Sequence, residues 1–387
     1  PADHGPHPDE ALGPAPGPGR RRALPLLGRG RLHHRRDPRG RRGLPGGLTG
    51  GPVARTRRVC HPPPTMADRF LVTGGLGCIG AWAAHELLAE GCEVIVADLG
   101  SSDHRLRNLV GEHPAGLTRV ALDITDADQV MACFAEHRPT HVVHLAALQV
   151  PFCKADPVGG ARVNVVGTVA LLEAMAEHLP DRVFSYASSV AAYGGEDEPT
   201  VDGVAAADPQ GKPHTLYGVY KRANEESAAV YHADRGLSSI GLRPYVVYGV
   251  GRDQGVTSSP NMAMLAAARG EPFHISYGGR AVYQHGRDAA RAFIAAARSD
   301  YDGACVVNLP GDEVSMQDII AAIRAVVPEA EITLDDVQLP FPPSVDASGF
   351  DRVVGAVTRY PLDEGVAETI GRFRALIAVG AVIVPQR

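Results

Sequence analysis

From Met66 onward, short and uniformly apolar runs alternate with stretches in which apolar residues recur every three or four positions. Arg69 to Thr73 is the first run and ends in glycines; Ala81, Ala84, Leu87 and Leu88 then mark a helix, and Glu93 to Ala97 is apolar again. The same alternation predicts strands at 119–122, 141–145, 182–187 and 239–242, with helices at 126–137, 156–178 and 217–235. Strands apolar on both faces and joined by helices imply a parallel sheet covered on both sides, the doubly wound α/β architecture. Beyond Pro244 the rhythm loosens into helices at 260–269, 288–297, 315–326 and 363–379, separated by Pro and Gly. These predict a smaller, mostly C-terminal lobe over the carboxyl ends of the strands, where open α/β sheets take their ligands.

Composition changes the picture at the N-terminus. Residues 1–65 hold thirteen Arg, thirteen Pro and twelve Gly with no Lys and four acids, a mixture that breaks regular structure and has little to bury. This leader is expected to be disordered, and the regularity that begins at Met66 suggests that it is an over-extended reading of the start. The predicted organisation is a basic leader over 1–65, a nucleotide-binding domain over 66–250 and a mainly substrate-binding lobe over 251–387. Removing the leader from the formal net charge of -6 leaves an acidic body. Such a body is a poor partner for nucleic acid or an anionic membrane. The cysteines at 60, 78, 92, 133, 153 and 305 lack disulfide-type spacing, and no run matches a signal peptide or spanning helix. The expected address is the cytoplasm.

Candidate chemistry begins between the first strand and the first helix, where glycines stand at 74, 77 and 80. Glycines there allow a tight turn and a close backbone approach, and the helix N-terminus attracts a pyrophosphate. Asp98 ends the second strand, where a carboxylate can accept both hydroxyls of an adenosine ribose and would repel a 2′-phosphate. The pair predicts NAD rather than NADP. Further on, Tyr217 and Lys221 stand four apart on one helix face, where an ammonium could lower a phenol's pKa toward working range and also hold the nicotinamide ribose. Upstream, Ser185, Ser188 and Ser189 supply hydroxyls at a strand end. His141 and His144, three apart on a strand, cannot share a metal there and are expected to pack, as is Trp82. No metal site is expected.

In this order the motifs resemble the extended short-chain dehydrogenase/reductase family, in its NAD-dependent epimerase/dehydratase branch, over about residues 68–380. The resemblance implies a Rossmann domain. Gly74, Gly77, Cys78, Ile79 and Gly80 match the phosphate loop, Asp123 and Ile124 the adenine-contacting segment, and Leu145, Ala146 and Ala147 the fourth strand end. Asn164, in Asn164-Val165-Val166-Gly167-Thr168, matches the central helix motif, which places it beside the cofactor with Tyr217 and Lys221. Ser189, four before Tyr193, takes the place of the catalytic hydroxyl, so the implied catalytic set is Ser189, Tyr217 and Lys221. A homodimer built on the helices near 156–178 and 217–235 is implied as well.

The departures limit the substrate. Val190 and Ala191 follow Ser189 where sugar dehydratases carry an acid and a base, which argues against 4,6-dehydration. Val246 and the stretch Gly279 to His285 depart from nucleotide-sugar signatures. Ser188, Tyr245, Arg252, Arg280 and Tyr283 are the candidate substrate contacts, the arginines as forks for phosphate or carboxylate. The implied function is an NAD-dependent epimerase of a sugar or nucleotide sugar working through a transient ketone. The alternatives are a net dehydrogenase or reductase of a secondary alcohol, and a non-catalytic NAD-binding scaffold or sensor.

Overall fold

The computed structural model describes residues 68–100, 102–195 and 198–384. The leader at 1–65 and the start at Met66 lie outside the described residues. The chain opens with β1 (Arg69–Thr73), α1 (Cys78–Ala89), β2 (Glu93–Asp98), α2 (His104–Val110), β3 (Leu117–Ala121), α3 (Ala127–His137) and β4 (His141–His144). Then come α4 (Val150–Ala155), α5 (Pro157–Ala161), a π-helical turn (Arg162–Val166), α6 (Gly167–His178) and β5 (Phe184–Ala187). Two short strands, β6 (Thr200–Val201) and β7 (Val204–Ala205), lead to the 20-residue α7 (Leu216–Arg235) and to β8 (Ser239–Arg243).

The remainder is β9 (Val246–Tyr248), α8 (Ser259–Arg269), β10 (Phe273–Ile275), β11 (Arg280–His285), α9 (Gly286–Ala297) and β12 (Ala304–Asn308). It ends with β13 (Asp312–Ser315), α10 (Met316–Val326), β14 (Ile332–Leu334), β15 (Ser344–Val345), α11 (Phe350–Val353) and α12 (Leu362–Ala378). The central sheet runs β12-β8-β5-β4-β1-β2-β3, parallel throughout. This is the doubly wound order, and its direction reverses between β1 and β4.

Alternation along β1 divides the core. Phe70 and Val72 pack with Trp82, Val94 and Val143 on one face, while Leu71 faces Ile95, Phe134, Leu171 and Phe184 on the other. Trp82 is fully buried and its indole N–H donates to the Val250 carbonyl at 3.1 Å. His144 bridges the Thr73 and Thr168 hydroxyls at 2.7 and 3.0 Å, and burial pushes its pKa down to about 3. His141 stacks on Phe70. Both act as neutral packing residues, and no group of three metal-ligating side chains exists among the described residues.

The division at residue 250 does not follow the sheet. One of its two edge strands, β12, and the helix α9 that covers α1 both come from beyond 250. The stretch Pro157–His178 has the length and mean hydropathy of a membrane-spanning helix, but half of its apolar window is buried inside the fold. Its apolarity serves the core, where α6 meets α3 and α7.

Glu86 on α1 accepts from Arg287 Nε at 2.7 Å and Arg291 Nε at 2.6 Å, both on α9. Burial works to raise this carboxyl, but hydrogen bonds from His85, Arg291 and Arg287 overcome it and hold the group down to about 2. Because the folded value lies below the ordinary 4.5, the stabilisation is present above that value and lost as pH falls toward 2. Glu86→Gln should cost about 3 kcal/mol at neutral pH. Melts followed into acid should lose stability less steeply for the variant than for the wild type.

Candidate active site

One cleft of about 840 Å³ lies over the carboxyl ends of the strands, at the point where the order reverses. Its floor is set by backbones in near contact. Gly74, at φ +69°, has no room for a side chain: a Cβ there would lie 2.6 Å from the Ala146 amide nitrogen. A Cβ on Gly80 would lie 2.4 Å from the Gly74 carbonyl oxygen. Gly77 is different, since a Cβ there meets only the Gly74 carbonyl, at 3.1 Å. It faces the cleft as the N-cap of α1, where no side chain caps the helix. The first amides of α1, those of Cys78, Ile79 and Gly80, thus open onto the cleft and suit a pyrophosphate.

Asp98 lines the cleft at the end of β2, where its Oδ2 accepts from the Leu76 amide at 3.0 Å and its Oδ1 from the Gly100 amide at 2.9 Å. Asp123 and Ile124 line the same end, and Leu145, Ala146 and Ala147 form the wall after β4. This cradle fits a dinucleotide: open helix amides flank a void that glycines keep clear, and a fixed carboxylate stands beyond it. Asn164 does not line the cleft. It is buried beneath the wall, accepting from the Leu148 amide at 2.7 Å and donating to its carbonyl at 2.9 Å, and so fixes the loop.

At the other end, Ser189 closes the turn after β5, its Oγ accepting from the Ala191 amide at 3.1 Å. Tyr217 and Lys221 enter from the first turns of α7, which Thr215 caps by accepting from the Gly218 amide. Glycine is required at 218, because a Cβ would meet the Ala191 carbonyl at 2.0 Å. This close approach presses the tyrosine against the serine. Ser188 also lines the cleft, but its hydroxyl donates to Glu225, which pairs with Arg243 at 2.7 Å in a buried cluster behind the site.

Lys221 Nζ donates to the Ala187 carbonyl at 2.6 Å and sits 5.5 Å from the Tyr217 ring centroid. Burial pushes the Tyr217 phenol up to about 12, against the lowering effects of a hydrogen bond from Ser189 and of the Arg252 charge. Among the effects on the phenol desolvation is the largest, opposed by Ser189 and Arg252, while the Lys221 ammonium donates to the Ala187 carbonyl. Burial also brings Lys221 down to about 8.

Of the substrate candidates, Tyr245 and Arg252 line the cleft, with the Tyr245 hydroxyl donating to the Pro342 carbonyl at 2.8 Å. Two others fall elsewhere. Arg280 is exposed on β11 and pairs with Glu313 at 3.4 Å. Tyr283, on the opposite face of that strand, is buried against Met316. Residues that sequence reasoning missed include Arg105, Gln149 and the Leu339 to Phe341 segment. None of these carries a motif, and only the turns of the chain bring them to the cleft.

Fold and cleft together define a dinucleotide-binding α/β protein with a Ser-Tyr-Lys constellation. The model of the NAD dependent epimerase/dehydratase family matches residues 70–309, and the chain belongs to that family. It is 36% identical over 181 residues to UDP-glucose 4-epimerase 4 of Oryza sativa subsp. japonica, covering 45% of this chain and 47% of that protein. The chain spans about half the length of the first curated relatives it matches. Among solved structures, a GalE-like L-threonine dehydrogenase from Cupriavidus necator matches with a TM-score of 0.69 and 26% identity, covering 78% of this chain and 99% of that one. A Thermus thermophilus UDP-glucose 4-epimerase in complex with NAD matches at 0.65 and 27%, covering 79% and 99%.

If the Lys221 ammonium holds a bound dinucleotide, affinity should fall as pH rises through about 8, where that charge is lost. Titration calorimetry with NAD between neutral pH and mild alkali tests this. Lys221→Arg should flatten the profile, since a guanidinium keeps its charge.

Proposed function

We propose that this chain is an NAD-dependent epimerase acting on a sugar or nucleotide sugar through a transient ketone. The observation that carries the reading is the meeting of Ser189, Tyr217 and Lys221 in one cleft with the glycine loop and Asp98. NAD, when bound, supplies the hydride acceptor and, on the return, the donor. The residues of the chain do the rest. Tyr217 Oη takes the proton of the substrate hydroxyl and returns it to the carbonyl oxygen once the other face is presented. It does so as the phenolate, a form that burial opposes and that the Ser189 hydrogen bond and the positive charge of Arg252 favour. Ser189 holds the same substrate oxygen, and Lys221, fixed by the Ala187 carbonyl, offers its remaining donors to the nicotinamide ribose.

Val190 and Ala191, both buried, leave no carboxylate beside Ser189, which speaks against dehydration. The likeness to a threonine dehydrogenase favours one second reading, net oxidation of a secondary alcohol. The two separate on one assay, because only net oxidation makes the absorbance of reduced nicotinamide grow with product. Tyr217→Phe should lower turnover by about 10²- to 10⁴-fold while NAD affinity changes little. Full turnover by that variant would remove Tyr217 from the mechanism.

Exposed Val158 and Val166, with Val219 and Val230 of α7, support a homodimer joined through these helices. Val219→Glu with Val230→Glu should shift sedimentation from dimer to monomer. The unpaired state of the five described cysteines accords with a reducing, cytoplasmic address.

A further inference from the structure

Val247, Val256, Leu339 and Phe341 are among the apolar residues that line the cleft. Two arginines reach the cleft, and they differ in what they have left to offer. Arg105 is committed: its Nε and one terminal nitrogen donate to Asp253 Oδ1 at 2.9 and 2.6 Å, and the other reaches the Leu76 carbonyl at 3.3 Å. Arg252 has no carboxylate partner among the described residues. One of its terminal nitrogens donates to Thr257 Oγ1 at 2.7 Å, and its Nε is buried without any acceptor. Like Tyr217 and Ser189, it lines the cleft. The other terminal nitrogen has no partner among the described residues, and on a side chain that lines the cleft it is the donor left for a ligand. The fork matches a carboxylate or a phosphate monoester.

One uncommitted guanidinium balances one anionic group. A nucleoside diphosphate brings two phosphates, one more than this guanidinium balances. Arg280, the other fork the sequence offered, lies outside the cleft. We propose that the substrate is a hydroxylated, carbohydrate-like compound with a single anionic head group, carboxylate or monophosphate. Arg252 binds that group and so presents the reacting hydroxyl to Tyr217 and Ser189. This rests on the Tyr217 chemistry proposed above.

The test uses the full chain with NAD and four probes: D-galacturonate, galactose 1-phosphate, UDP-glucose and neutral D-galactose. Binding is read by calorimetry and turnover by carbohydrate analysis and nicotinamide absorbance. The expected result is that galacturonate or galactose 1-phosphate binds more tightly than UDP-glucose, the better of the two naming the head group. Arg252→Gln should then raise KM for that probe about 50-fold and leave KM for galactose unchanged, while the fall in kcat from losing its charge is the same for both substrates. Arg252→Lys should restore a phosphate probe better than a carboxylate one. Three outcomes overturn the proposal: tighter binding of UDP-glucose, no binding of either single-anion probe, or an Arg252→Gln variant that loses NAD affinity instead of substrate affinity. Tyr217→Phe separates the two layers. A silent Tyr217→Phe with UDP-glucose as the best probe sinks only the substrate class, whereas an active Tyr217→Phe sinks the chemistry whatever the charge preference.

Discussion

The site depends on the close approach of two backbones where the sheet order reverses. Gly74 sits against Ala146 with no space for one carbon between them, and Gly80 sits against Gly74 in the same way. These contacts let α1 start directly behind β1, so that its open amides point along the cleft floor. A larger residue at either position would drive the helix from the sheet and tilt the amides away. Everything farther along the cleft is measured from this junction.

The second constraint is desolvation. Gly218 brings α7 against the turn after β5, burying Lys221 and half-burying Tyr217 beside it. Burial moves both groups toward their neutral forms, the phenol upward and the ammonium downward. The fold opposes this with a serine hydroxyl and a second cation, and it braces the arrangement from behind. There Glu225 and Arg243 tie α7, β8 and the Ser188 hydroxyl into one buried cluster. Groups held in this balance respond strongly to small changes in their surroundings, which suits residues that must give and take a proton.

Much of this was readable in the chain itself. β1 and β2 are short apolar runs with glycines or an acid at their ends, and the structure begins β1 at Arg69 and β2 at Glu93, as the pattern does. The long helix from 157 carries a π turn at Arg162–Val166 that apolar periodicity does not reveal, and α2 has only Leu106, Leu109 and Val110 as apolar positions, a run too short to stand out. β12 was missed because its apolar run follows the irregular stretch after Pro244 and pairs with a strand more than sixty residues earlier. The misplacing of Arg280 and Tyr283 has a similar origin: strand alternation sends one to solvent and the other to the core, and neither direction is toward the cleft. Asn164 differs again, since its amide is consumed by Leu148, a backbone partner that no side-chain motif announces.

The completion of the sheet by β12 has a consequence for how the molecule is made. As the polypeptide leaves the ribosome, residues up to 250 can pair six parallel strands, but β8 keeps a bare edge and α1 an uncovered flank until α9 and β12 emerge. A nascent chain halted in that interval would expose a template for strand addition. The nucleotide half therefore cannot mature ahead of the rest, and translation must pass residue 308 before either half is closed to unwanted association.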